Sequence, residues 1–138
     1  MIISKKTMLK VIFTCLLCVL LFTSAYAEKT IKVMLYGDSL MAGYGLAQNE
    51  NLASELSRSF EADNLEVSII NASISGNTSK NGLSRVEWSL GDNPEIVVIC
   101  LGANDMLRGL NPALTSENLD SIISKFKKSG TVVILAGM

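Results

Sequence analysis

The sequence predicts an α/β domain, a three-layer α/β/α sandwich on a parallel sheet. Four short, mostly apolar runs, at 31–36, 65–72, 96–101 and 131–136, have the character of strands covered on both faces. Helical patterns separate them, which is the alternation of a parallel sheet with crossover helices. Each of the first three runs also opens into a turn rich in Gly, Ser, Asn or Asp, and right-handed crossovers bring such turns to one edge of the sheet, where ligands bind.

In order along the chain, Lys5, Lys6 and Lys10 precede an uncharged run at 11–22, and Ala25-Tyr26-Ala27 follows. This is the pattern of a secretory signal peptide at 1–27 with cleavage after Ala27, and it implies a periplasmic or secreted product. The run falls well short of the ~20 residues a spanning helix needs, so no stable membrane anchor is expected. Leu17 precedes Cys18 and Thr14 precedes Cys15, which does not suit a lipoprotein signal.

The first strand ends at Gly37. Leu52, Ala53, Leu56 and Phe60 then recur at helical spacing over 51–63, with Glu55, Arg58 and Glu61 on the opposite side. After the second strand, 73–82 reads as a loop and 82–90 as a helix. A loop from the third strand through Pro112 leads to a helix marked by Leu114, Leu119, Ile122, Ile123 and Phe126. Thr115 or Ser116 suits its start, and Lys125, Lys127 and Lys128 suit its negative end. The fourth strand has no helix after it, so the sheet is expected to be incomplete at its C-terminal side.

Composition limits the function classes. The 138 residues are enough for one domain, with 28–138 left after cleavage. Twelve Lys and Arg against 13 Asp and Glu give a net charge of −1, with no basic stripe to hold nucleic acid. Cys15 and Cys18 would leave with the signal, and the remaining Cys100 sits in an apolar run, where a buried thiol is expected. Gly43-Tyr44-Gly45 lacks the later glycine of a dinucleotide loop, and there is no Gly-Lys-Ser/Thr phosphate loop.

The chemistry lies in three turns: Gly37-Asp38-Ser39-Leu40, Asn71-Ala72-Ser73-Ile74-Ser75-Gly76-Asn77-Thr78, and Gly102-Ala103-Asn104-Asp105. Ser39 lies in a strand-to-helix turn, where a serine is either an exposed nucleophile or a helix N-cap. Gly76 permits close backbone approach to a ligand, and Asn104 offers an uncharged N–H donor. Each alone suits a turn or a cap equally well. Asp38 and Asp105 are expected to support their loops, and Arg108 to be solvated.

Together and in this order, the three segments resemble the GDSL or SGNH serine hydrolases, over essentially all of 31–138. The resemblance implies a flavodoxin-like sandwich and an ester or thioester hydrolase with an acyl-enzyme on Ser39. It assigns the oxyanion hole to the N–H groups of Ser39 and Gly76 and the side-chain amide of Asn104. Fatty acyl thioesters, lysophospholipids and aryl esters are the implied small-molecule substrates, without metal or redox cofactor.

The family pattern closes with Asp-x-x-His, whose histidine takes the serine proton. These 138 residues contain no histidine. The alternative expectation is therefore a catalytically silent, truncated hydrolase that at most binds acyl or glycan esters. The sequence leaves the oligomeric state open.

Overall fold

The computed structural model describes residues 29–137 together with Lys6. The expected signal segment otherwise lies outside the described residues. Four parallel strands form one sheet in the order β2-β1-β3-β4. They are β1 (Ile31–Gly37), β2 (Val67–Asn71), β3 (Ile96–Cys100) and β4 (Val132–Leu135). Among described residues 29–137 five helices accompany them: α1 (Ser39–Ala42), α2 (Leu52–Ala62), α3 (Ser79–Leu90), α4 (Ala103–Leu107) and α5 (Pro112–Lys128).

The alternation of side chains along the central strand β1 makes two cores. Met34 and Tyr36 point toward α3 and α5, where Val86, Val97, Ile99, Leu101, Ile122 and Phe126 pack with them. Leu35 points the other way, and with Met41 and Cys100 it meets Ala53 and Leu56 of α2. The sheet is thus covered on both faces at its centre, as the sequence predicts. At the β4 side the second face is open: Val132 and Ile134 are 60% and 49% exposed.

Several element boundaries differ from expectation, each for a local reason. The second strand starts at Val67 instead of Leu65, because Leu65 N–H closes α2 on the Phe60 carbonyl (2.9 Å) beside left-handed Asn64. That is the Schellman end of a helix, with Asn in the place usually taken by Gly. The loop at 73–82 ends early: Thr78 and Asn81 form a reciprocal capping box, and α3 begins at Ser79. Asn111, instead of Thr115 or Ser116, caps the last helix, with Pro112 in its first turn. The stretch after β3 contains α4, too short to carry a periodic signal. Lys125, Lys127 and Lys128 do occupy the last turn of α5. Among the described residues no helix is long and apolar enough to cross a membrane.

Candidate active site

The three turns follow the C-terminal ends of β1, β2 and β3, so the parallel register brings them to one edge. Gly37 ends β1 where no side chain fits. A Cβ there would stand 2.5 Å from Met41 Cγ and 2.8 Å from the Cys100 carbonyl oxygen. Gly37→Ala must therefore push β1 from β3, and we expect a loss of about 1–3 kcal/mol, read as a shifted urea midpoint. An unchanged midpoint would mean that the turn relaxes without strain.

Asp38, 1% exposed, is the N-cap of α1; its Oδ1 accepts from the Leu40 N–H at 3.2 Å. The capping alternative for Ser39 is thereby removed. Ser39 is the first residue of the helix proper, and its hydroxyl makes no hydrogen bond to any described residue. Its N–H has no acceptor among the described residues either, as befits a first-turn amide.

The second turn is tied to the first strand. Ser73 Oγ donates to the Leu35 carbonyl (3.1 Å) and the Ile74 N–H to the Gly37 carbonyl (3.1 Å). A reverse turn from Ile74 to Asn77, closed by Asn77 N–H on the Ile74 carbonyl, holds Gly76 at φ +80. A side chain would be strained at that angle. The Gly76 N–H makes no hydrogen bond among the described residues, while its carbonyl accepts from Arg108 Nη2 at 2.9 Å. Arg108 is exposed, as expected, but it is also bonded to this turn.

The third turn joins the other two. Asn104 Nδ2 donates to the Asn77 carbonyl (3.0 Å) and, more weakly, to Asp38 Oδ2 (3.4 Å). One amide group thus touches the residue before Ser39 and the residue after Gly76. The structure brings together the neighbourhoods of all three predicted site residues. Asp105, the next residue, is 3% exposed and supports the loop as expected, accepting from the N–H (2.8 Å) and hydroxyl (2.6 Å) of Ser79.

One contributor was not anticipated. Arg85 on α3 donates to Asn77 Oδ1 (2.9 Å), the Ala72 carbonyl (2.6 Å) and the Gly37 carbonyl (3.3 Å), and stacks 3.9 Å from the centre of the Tyr36 ring. A charged residue three positions after buried Gly82 and four before buried Ser89 lies on the inward stripe of its helix, and that was the signal in the sequence. Burial lowers the pKa of Arg85, partly offset by Tyr36, and raises that of the Tyr36 phenol. Burial, then the Asp38 charge, also pushes the Cys100 thiol up, which suits a packed and unreactive cysteine.

An open cleft of about 450 Å³, lined by Gly102, Met106, Gly109, Leu110, Pro112 and Thr115, adjoins the third turn. A second hollow of about 350 Å³, between Ile31, Phe60, Leu65 and Ile96, lies at the opposite end of the sheet, away from Ser39. Among the described residues no cluster of three or more His, Cys, Asp or Glu is arranged to hold a metal ion.

Comparison with known proteins bears on the family and the fold. Residues 35–138 match the GDSL-like Lipase/Acylhydrolase family. An arylesterase of Vibrio mimicus is 39% identical over 126 residues, covering 91% of this chain and 60% of the relative. The thioesterase 1/protease 1/lysophospholipase L1 of Escherichia coli K12 is 36% identical over 121 residues, covering 87% and 56%. The crystal structure of AlinE4, an SGNH-hydrolase family esterase, superposes with a TM-score of 0.76 at 35% identity, over 80% of this chain and 60% of that one. The chain thus spans about 60% of the length of these relatives. On the family match, the shared fold and the three turns at one sheet edge, this chain belongs to the GDSL-like lipase/acylhydrolase family.

Proposed function

We propose that this chain supplies the nucleophile and the oxyanion hole of an ester and thioester hydrolase. The observation that carries the reading is the Asn104 amide, bonded at once beside Ser39 and beside Gly76, next to a serine hydroxyl that caps nothing. Ser39 Oγ attacks the acyl carbonyl, and the electron pair moves to its oxygen. That oxygen is met by the N–H groups of Ser39 and Gly76 and by Asn104 Nδ2, which turns from its long contact with Asp38. The alcohol or thiol then leaves, and water releases the acid from Ser39.

The Ser39 proton needs a base, and the Asp-x-x-His of the family pattern is not among these 138 residues. The reading therefore assigns them part of the machinery only. Substrates follow from the relatives, one named an arylesterase and another a thioesterase and lysophospholipase. Exposed Leu40, Ile74 and Met106, with the apolar cleft beside Asn104, suit an acyl chain. Residues 1–27 would direct the protein to the periplasm or beyond, leaving 28–138 as the hydrolase domain.

Acyl trapping tests this. With p-nitrophenyl butyrate at alkaline pH, hydroxide stands in for the absent base, and the butyryl group is expected on the peptide containing Ser39. Ser39→Ala should lose that adduct. Butyryl groups spread over lysines and other serines, unchanged by the substitution, would refute the reading.

A further inference from the structure

We infer that Arg85 is the positioning residue of the oxyanion hole, a clamp that fixes both the turn carrying Gly76 and the acceptor of Asn104. The inference rests on the reading of the site given above. The guanidinium bonds one end of the second turn at the Ala72 carbonyl and the other end at Asn77 Oδ1. It also reaches the Gly37 carbonyl, which already receives the Ile74 N–H. Both ends of the segment 72–77 and the end of β1 are thus held by one rigid, planar group.

Asn77 is the link to the third turn. Its side chain is bonded to Arg85 while its carbonyl accepts from Asn104 Nδ2, so the clamp acts on two of the three oxyanion donors without touching substrate. The Tyr36 ring beneath the guanidinium is fixed in turn: its hydroxyl donates to the Gly82 carbonyl (2.6 Å), and it meets Phe126 edge-on at 5.3 Å. The geometry requires a forked donor on a flat support. Lysine offers a single point charge and cannot bond three acceptors in one plane.

Butylboronic acid tests the clamp without any need for a base. The Ser39 oxygen donates a lone pair to boron, an O–B bond forms, and the proton goes to solvent. The resulting tetrahedral anion directs one oxygen into the oxyanion hole. Boron NMR follows the change from trigonal to tetrahedral in the 138-residue protein, at a temperature where circular dichroism finds every variant folded.

Arg85→Met should weaken the adduct about tenfold or more, and Arg85→Lys by an intermediate factor. Val86→Ala, the next residue on the same helix and wholly buried, lowers stability while leaving the clamp intact, and should bind within about twofold of the unsubstituted protein. If Arg85→Met binds like the unsubstituted protein, or no worse than Val86→Ala, while Ser39→Ala abolishes the adduct, the clamp is refuted and the site reading stands. If the unsubstituted protein forms no adduct, or Ser39→Ala forms it equally well, the site reading fails and the clamp fails with it.

Discussion

At neutral pH a polypeptide of these 138 residues is expected to hydrolyse p-nitrophenyl butyrate only about 10³–10⁴-fold faster than water does, the residual left when a serine triad lacks a member. On the proposed reading the oxyanion donors and apolar cleft would still act on the transition state, but these 138 residues hold no histidine to take the Ser39 proton. Free imidazole should repair part of this deficit. The Ser39-dependent rate should rise about tenfold or more with added imidazole and saturate. It should follow the neutral form of the base, growing as pH rises and imidazolium loses its proton. Ser39→Ala gives the background, since imidazole cleaves activated esters unaided. A rate of about 10 s⁻¹ without imidazole, lost in Ser39→Ala, would show that another group serves as base. Indifference to imidazole would favour the catalytically silent alternative.

Asp105→Ala is expected to cost about 3 kcal/mol, a sizeable part of a stability that for small domains is about 5–15 kcal/mol. The carboxylate is 3% exposed and accepts from the Ser79 N–H, the Ser79 hydroxyl and, at 3.2 Å, Thr115 Oγ1. The Ser79 hydroxyl accepts in turn from Asn118 Nδ2 at 3.0 Å. Three helices meet through this group: α3 at its N-terminus, where a negative charge is favoured, α4 which carries it, and α5. Alanine would leave buried donors with neither partner nor water, the costly half of the hydrogen-bond balance. Asp105→Asn should cost less, because its amide oxygen can still accept from Ser79. Urea midpoints check both, provided the slope stays constant. A loss below about 1 kcal/mol for the alanine variant would mean that water fills the site.

The strands were legible because a sheet covered on both faces needs apolar runs that little else in a polar chain imitates. The meeting of the three turns at one sheet edge was legible because each follows an apolar run and carries Gly, Ser, Asn or Asp, and only their sum set Ser39 apart from a cap in the sequence. Decisions among near-equivalent polar groups were not legible. Asp38 and Ser39 compete for the same cap, and only the conformation of Asp38 awards it to the aspartate. Thr78 with Asn81 forms a capping box without the Glu or Gln that marks such boxes in sequence, so α3 began three residues before its periodicity did. Leu65 is apolar and next to a strand, yet the left-handed Asn64 binds it to the preceding helix. Arg85 hid in plain sight because a long charged side chain on a helix is usually solvated, and its three acceptors come from segments 8 to 48 residues away.

The order of strands also fixes the order of events in synthesis. β1 emerges first but lies at the centre, pairing with β2 from Ile31 to Val67 and with β3 from Val33 to Ile96. Its partners must be translated before either edge is satisfied, and such distant pairings are slow to close. Until β3 docks, the Gly37 turn has no Cys100 backbone to press against and Asn104 has no Asp38 to find. A nascent chain halted before residue 96 would therefore expose the bare edge of its central strand, a surface for chaperones or for its own kind.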